Sequence, residues 1–138
     1  MRKRRRQAPP AGRILIGAVS TAKYFVPFII SGFSKRHPDV EVTLSIGNRQ
    51  EIGMALRGYD LDFAIIGRPP ADIDMDVHLI GDHPHFIIAP TGHRLARKSR
   101  VASGELAGET FLTREPGSGT RGLMEQLFEA VGMRPKRG

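Results

Sequence analysis

The sequence predicts an α/β protein built on a parallel β-sheet. Three apolar stretches, at 13–19, 40–46 and 61–67, have the length and composition of strands. The two stretches between them repeat apolar residues at helical spacing, which gives the order βαβαβ. This order is typical of parallel strands joined by right-handed helical crossovers. No apolar run approaches the ~20 residues that a membrane-spanning helix needs, and no membrane partner is expected.

The first strand and the helix after it are the clearest elements. Residues 13–19 form a continuous apolar run, as expected for a strand that is buried on both faces. Ser20 and Thr21 follow as a predicted N-cap pair. Apolar residues at helical spacing then predict a helix that begins near Val26 and ends before Pro38.

The next elements complete the predicted sheet. Residues 40–46 alternate in polarity and contain β-branched side chains, which indicates a second strand. A short helix over 52–56 is predicted to end at Gly58. Residues 61–67 are mostly apolar and predict the third strand.

The second half of the chain does not continue the βαβ order. Its predicted elements are strands at 77–80 and 86–89, a helical turn near 103–106, a strand at 110–113, and a helix that Ser118 or Thr120 caps and that reaches Gly132. No strand is predicted after this helix, and one short strand does not make a stable sheet. The second half is therefore expected to be the beginning of a second lobe, and the chain a portion of a larger domain.

The net charge of +7 comes from two basic tails. Five basic residues lie at 2–6 and three at 134–137, so the residues between them have a net charge close to zero. Residues 1–12 are predicted to be a disordered basic lead; the alternative is non-specific nucleic-acid binding through phosphate contacts. Residues 7–12 are not the apolar segment of an export signal, and cysteines are absent, so a cytoplasmic protein is expected.

Polar side chains follow four of the predicted strands. They are Ser20, Thr21 and Lys23 after the first strand, Asn48 and Arg49 after the second, Arg68 after the third, and Ser118, Gly119, Thr120 and Arg121 after the strand at 110–113. Each group alone is explained by a helix cap or a turn. Ligands of open α/β sheets bind at the carboxyl ends of the strands, where helix N-termini favour anions. The four groups together therefore predict a site for a small anion.

Gly117, Gly119 and Gly122 spell the pattern G-x-G-x-x-G. In a dinucleotide-binding fold this pattern follows the first strand, and an acidic residue comes ~20 positions later. Here the pattern follows a late strand, and no such acid is present in the sequence. An anion-holding helix start is favoured over a nucleotide site, and no cofactor is predicted.

Metal binding and catalysis have little support in the sequence. One cluster could be read as a metal site: Asp76, His78, Asp82, His83 and His85. No histidine pair in it has the helical i, i+4 spacing of a zinc site, so a solvated strand-turn-strand is favoured over a metal site. No nucleophile motif such as G-x-S-x-G occurs. No catalytic residue is predicted, and the protein is not expected to be an enzyme.

Several stretches of the chain together resemble the effector-binding region of LysR-type transcriptional regulators. They read GRILIGAVSTAKYFVPFIISGFSKRHPDVEVTLSIGNRQEI, LDFAIIGRPP, HFIIAPTGHRLA and ETFLTREPGSGTRGLMEQLFEAVGM. The sequences of residues 19–25, 67–70 and 114–121 are most similar to those of the branch that controls Calvin-cycle carbon-fixation operons. The resemblance covers about residues 12–135.

The resemblance implies a type 2 periplasmic-binding-protein-like fold, with two Rossmann-like lobes, a cleft between them and an incomplete second lobe. Residues 13–88 would form lobe one and residues 89–138 the start of lobe two. It also implies an effector-sensing function, in which a small anionic metabolite binds in the cleft and modulates transcription. The effectors of this branch are mostly phosphorylated. A homo-oligomer is implied, and DNA would be contacted only through a helix-turn-helix that is not in this sequence.

The resemblance also assigns roles to the predicted site residues. Ser20 and Thr21 would donate hydrogen bonds to the anion, Asn48 would orient it and Arg68 would neutralise it. Lobe two would contribute the helix start at 118–120. The cations Lys23, Arg49 and Arg121 suit an anionic effector.

Two other functions remain open at this point. The same fold serves solute-binding proteins that deliver small anions to transporters, although no export signal is read here. The chain could also be a fragment without a function of its own. Open sheet edges would then favour association with a second chain.

Overall fold

The computed structural model describes residues 12–134 and 136–137, which fall into two compact units that divide between Val77 and His78. In the first unit the elements are β1 (Gly12–Val19), a 3-10 turn (Ser20–Ala22), α1 (Val26–Arg36), β2 (Val40–Gly47), α2 (Arg49–Arg57) and β3 (Phe63–Ile65). In the second they are α3 (Ser103–Leu106), β4 (Thr110–Phe111), α4 (Gly119–Ala130) and β5 (Lys136–Arg137). Within these described ranges, no helix has both the length and the apolar character needed to span a bilayer.

The sheet of the first unit is parallel, with strand order β2-β1-β3. β1 pairs with β2 over its full length, from Gly12 opposite Val40 to Val19 opposite Gly47. β3 pairs with the other edge of β1 at three positions, including Ala18 opposite Ile65. The βαβαβ order and the parallel sheet predicted from the sequence are confirmed.

The two helices of this unit lie on opposite faces of the sheet. Ala18 is fully buried and packs with Val26 on the side of α1. A Cβ added at the neighbouring Gly17 would lie 3.2 Å from Cδ1 of Ile52, so Gly17 faces α2. Consecutive strand residues point to opposite faces. Because the chain passes from β1 to β2 on one face and returns to β3 on the other, the carboxyl ends of β1 and β3 form a topological switch point.

The third strand is shorter than the predicted 61–67. At the start of β3 the Asp62 side chain takes the place of a backbone acceptor. The Leu15 amide donates to Asp62 Oδ2 (2.8 Å), and the Asp62 amide donates to the Leu15 carbonyl (2.9 Å). Beyond Ile65 the chain leaves the sheet and turns at Arg68, which has φ of +50°. These two features end the regular pairing on either side of β3.

The second unit contains a small β-α-β arrangement. β4 and β5 are parallel, with Thr110 opposite Lys136, and α4 connects them along the chain. Phe128 of α4 is 2 % exposed and packs edge-to-face on Phe111, with ring centroids 4.9 Å apart. The helical turn at 103–106, a strand at 110 and the final helix are confirmed. The expectation of no later strand was wrong, because the two charged residues of β5 carry no apolar pattern.

Two other expectations were wrong. The segments 77–80 and 86–89 are not strands in the structure, and their apolar side chains are exposed. A strand requires a partner for its backbone groups, and none of the strands in the described ranges pairs with these segments. Ser20 and Thr21 do not cap a helix, because both lie inside the 3-10 turn; the N-cap positions are Val19 and Phe25. Except for Gly12, which begins β1, the predicted basic lead lies outside the described residues.

Candidate anion-binding site

The switch point of the first unit collects polar residues from three strands. Val19 pairs with Gly47, and Ala18 pairs with Ile65. The residues that follow these pairs therefore lie at one edge of the sheet, on strands about 4.8 Å apart. They are Ser20 and Thr21 after β1, Asn48 after β2 and Arg68 after β3. The register thus places four of the residues that the sequence predicts as ligands at the same edge of the sheet.

The first polar group is the 3-10 turn after β1. Ser20 and Thr21 are half-buried in it, while Lys23 at its end is exposed. The Lys23 ammonium lies 5.1 Å from the centroid of the Tyr24 ring, a cation–π contact at the surface. The hydroxyl groups of the turn therefore lie closer to the protein interior than the ammonium does.

Asn48 has a structural task at the start of α2. Its Oδ1 accepts a hydrogen bond from the Glu51 amide (3.0 Å), and Glu51 Oε2 accepts one from the Asn48 amide (2.7 Å). This capping box orients Asn48 and leaves its two side-chain N–H donors outside the box. It also fixes a carboxylate near the site, which sequence reasoning missed. The Asn-x-x-Glu spacing of Asn48 and Glu51 could have predicted it.

Arg68 has an unusual backbone conformation. Its φ of +50° lies in the left-handed region, which is uncommon for residues other than glycine. A residue before proline is also ordinarily extended, and Pro69 follows here. The Arg68 carbonyl accepts two hydrogen bonds from Arg49, from Nε at 3.1 Å and from Nη2 at 2.8 Å. Strained residues of this kind cluster at ligand sites, where surrounding contacts hold them in place.

The polar edge of the second unit is the N-terminus of α4. Ser118 is buried at the N-cap position, and Gly117 before it has φ of +86°. Gly119 and Thr120 begin the helix, so their amides are among those without helical partners. Gly122 lies inside the helix, and its amide donates to the Ser118 carbonyl (3.1 Å). The G-x-G-x-x-G pattern therefore forms a turn and a helix start.

Arg121 is held within the second unit. Its Nε donates to Glu125 Oε1 (3.0 Å) one helical turn away, and its Nη1 donates to the Arg114 carbonyl (3.2 Å). Arg114 in turn forms two hydrogen bonds with Glu115, which raise the pKa of the Arg114 guanidinium. These contacts close the loop before α4.

A second ion-pair cluster lies before β4. Glu109 accepts a hydrogen bond from Arg94 and contacts His93 Nε2 at 3.1 Å, and Lys98 pairs with Glu105. Arg94 lowers the pKa of Glu109, with a smaller effect from His93, and Lys98 lowers the pKa of Glu105. Within the described ranges, no three metal-ligating side chains are grouped closely enough to hold an ion.

A doubly wound parallel sheet whose switch point carries hydroxyl, amide and guanidinium groups is typical of an α/β ligand-binding domain. The LysR substrate binding domain, a family of known proteins, matches residues 7–138. The chain belongs to this family, which confirms the resemblance seen in the sequence.

Several relatives are regulators of transcription. The chain is 46 % identical over 127 residues to the HTH-type transcriptional regulator CbbR of Xanthobacter flavus, covering 91 % of this chain and 38 % of the relative. It is 42 % identical over 117 residues to CfxR of Cupriavidus necator, covering 85 % of this chain and 37 % of the relative. The chain therefore spans less than half the length of these relatives.

Solved structures share the fold. The CcmR regulatory domain of Synechocystis, in complex with 2-PG, has a TM-score of 0.87 at 33 % identity, over 92 % of this chain and 61 % of that one. The OxyR regulatory domain from Pseudomonas aeruginosa has a TM-score of 0.70 at 23 % identity, over 95 % and 63 %. The predicted type 2 periplasmic-binding-protein-like class is confirmed.

Proposed function

We propose that this chain is the effector-sensing part of a cytoplasmic LysR-type regulator of carbon-fixation operons. Its ligand would be a small phosphorylated anion that binds at the switch point of the first unit. One observation carries this proposal: Arg68 is held in a strained conformation at the sheet edge that also presents Ser20 and Asn48. The names of the relatives and the 2-PG complex of the CcmR domain support it.

The residues at this edge suit an anion that carries both a phosphoryl and a carboxylate group. Ser20 and Thr21 would donate hydroxyl hydrogen bonds, and Asn48 would donate from its side-chain amide. The Arg68 guanidinium would form charge-assisted hydrogen bonds, which are stronger than neutral ones. The Glu51 carboxylate at the start of α2 would repel any anion, so the attraction of these donors must outweigh it.

The remaining predicted ligands are retained as weaker proposals. Lys23 would act from the surface through its charge. In the second unit, Ser118, Gly119, Thr120 and Arg121 would form a separate group of anion donors. Ligand binding would shift the populations of the regulator's conformations and thereby change transcription. Homo-oligomerisation and DNA contact are proposed for the whole regulator. The matched relatives are longer than this chain.

Isothermal titration of the chain with 2-phosphoglycolate tests the proposal. Saturable binding is expected, and Arg68→Ala should weaken it about tenfold to hundredfold, because a hydrogen bond to a charged group contributes about 1.5–3 kcal/mol. Arg13→Ala is the matched control. It removes the same charge near the opposite end of β1, about 20 Å from Val19 at the rise of a strand.

The outcomes are distinct. Wild-type chain that is folded by circular dichroism but does not bind 2-phosphoglycolate or inorganic phosphate would contradict the proposed site. Equal weakening by Arg68→Ala and Arg13→Ala would show attraction by the overall charge rather than a site at the switch point. Both variants would then depend on salt to the same extent, and less than the wild type.

A further inference from the structure

The segment after β3 lies along one face of α2. We call residues 68–72 the strap. Arg49, at the start of α2, contacts the Arg68 carbonyl, and Arg57, at its end, pairs with both carboxylate oxygens of Asp72 at 2.8 Å. Between them, a Cβ added at Gly53 would lie 3.6 Å from Pro70 Cγ. The strap therefore contacts α2 at three successive turns.

The contacts with the strap are spaced along α2. Positions 49, 53 and 57 are four residues apart, which on a helix is a rise of about 6 Å per step. The strap itself changes direction at both ends, because Arg68 has left-handed φ and residues 71–72 form a turn. Between these ends the rings of Pro69 and Pro70 fix their own φ angles. The two ends of the strap are held by arginines at the two ends of α2.

The strap begins at Arg68, the residue with the strained conformation. Left-handed φ is unfavourable for arginine, so contacts must hold it. The planar guanidinium of Arg49 supplies them, because it donates two hydrogen bonds to one carbonyl oxygen in a fixed geometry. A carbonyl has no net charge and accepts from any donor, so the contact depends on the two-donor geometry of the Arg49 side chain as well as on its charge.

We infer that Arg49 is a positioning residue: it acts on the ligand through the backbone of Arg68 and does not bind the anion itself. The inference rests on the proposed anion site. It replaces the direct role that the sequence suggested for Arg49 with an indirect one. Arg57 and Asp72 pair at the far end of the strap, four positions after Arg68.

Arg49→Lys is the decisive substitution, since it keeps the charge and loses the two-donor geometry. Affinity for 2-phosphoglycolate, measured by chemical-shift titration that extends to millimolar ligand, should fall about fivefold to tenfold in the wild-type background. In an Arg68→Ala background the same substitution should change affinity less than twofold, because the residue that it positions is gone.

Two results would overturn the inference. Unchanged affinity of Arg49→Lys would show that only the charge of Arg49 matters. An equal loss in both backgrounds would show direct contact with the anion. Arg57→Ala is the matched control, and its affinity should stay within twofold of wild type; a loss as large as that of Arg49→Lys would also count against a specific role at Arg68.

A measurement without ligand separates failure of this inference from failure of the proposed function. Arg49→Lys should lower Tm by about 3 °C in the wild type, as expected when one hydrogen bond is lost in a chain of this size. Glycine adopts φ of +50° without strain, and Arg68→Gly keeps the carbonyl that Arg49 contacts. Because that background has no strain to release when the hydrogen bond is lost, Arg49→Lys should lower its Tm at least as much. Unchanged Tm in both backgrounds would overturn the role of Arg49 even if the ligand binds.

Discussion

Three substitutions of Asn48 separate its structural role from its proposed role at the ligand. The side chain of Asn48 accepts from the Glu51 amide at 3.0 Å, and the Glu51 carboxylate accepts from the Asn48 amide at 2.7 Å. Asn48→Ala removes both the capping oxygen and the amide donors. Asn48→Ser and Asn48→Asp keep an oxygen that can cap α2 but lose the donors.

The expected effect on stability follows from the capping box. Asn48→Ala should lower the free energy of unfolding by about 1 kcal/mol, the usual contribution of an N-cap side chain. Asn48→Ser and Asn48→Asp should remain within about 0.5 kcal/mol of wild type, because asparagine, aspartate and serine cap about equally well. For a chain of this length 1 kcal/mol corresponds to about 3 °C in Tm.

The expected effect on binding has a different order. Asn48→Ser loses the amide donors, and a hydrogen bond to a charged group contributes about 1.5–3 kcal/mol. Asn48→Asp adds a negative charge as well. At a separation of about 6 Å and a dielectric constant between about 20 and 80, its repulsion of an anion is about 0.7–3 kcal/mol. Affinity should therefore fall from wild type to serine to aspartate.

Urea denaturation followed by circular dichroism measures the first effect, and calorimetric titration with 2-phosphoglycolate measures the second. The reasoning is refuted if Asn48→Ser is as unstable as Asn48→Ala, since the cap would then not depend on an oxygen acceptor. It is equally refuted if Asn48→Asp binds as tightly as wild type, since Asn48 would then lie away from the anion.

Three further predictions concern packing and charge. Phe128→Ala should lower the free energy of unfolding by about 3–5 kcal/mol, because the side chain is only 2 % exposed. Gly17→Val should lower it by about 1–3 kcal/mol, since even a Cβ at Gly17 would overlap the Leu61 side chain. Glu109, whose pKa is lowered by Arg94, stabilises the fold when ionised. This stabilisation is complete above a pH of about 4.3 and is lost as pH falls through the lowered pKa.

Each of these predictions has a control in the chain. Phe128→Leu should cost less than Phe128→Ala, and equal losses would contradict a packed core at this position. Gly17→Ala should be milder than Gly17→Val, because the terminal carbons of Leu61 can move. Glu109→Gln should be less sensitive to acid than wild type. Parallel acid denaturation curves of the two proteins would contradict the assigned ion pair.

Local patterns in the sequence were sufficient to predict most of the first unit. The apolar run of β1 and the alternation of β2 reflect burial on a parallel sheet, so both strands appear at the predicted places. The conformation of Arg68 could not be predicted in this way. Its carbonyl accepts hydrogen bonds from Arg49, nineteen positions earlier in the chain, whereas local preference before Pro69 favours an extended residue.

In the second unit, local patterns in the sequence predicted strands that the structure does not have. Residues 77–80 and 86–89 are rich in apolar and β-branched side chains, which favour an extended chain. Such a preference does not supply a neighbouring strand. β5 is the reverse case, because its two charged residues do not favour a strand by composition. They pair with β4, to which α4 returns the chain. Strand formation in this unit is therefore decided by the available partner rather than by composition.

The arginines of the candidate site show why residue type alone does not assign a role. Arg49 and Arg121 both lie in the first turn of a helix and both donate to the carbonyl of another arginine, Arg68 and Arg114 respectively. Arg121 is further paired with Glu125, whereas the contact of Arg49 is to a carbonyl, which has no net charge. In the first unit Arg49 therefore also contributes positive potential at the sheet edge. A single residue can thus hold the backbone of Arg68 and still attract an anion over several ångströms, which is why the charge-conserving substitution is needed to distinguish the two effects.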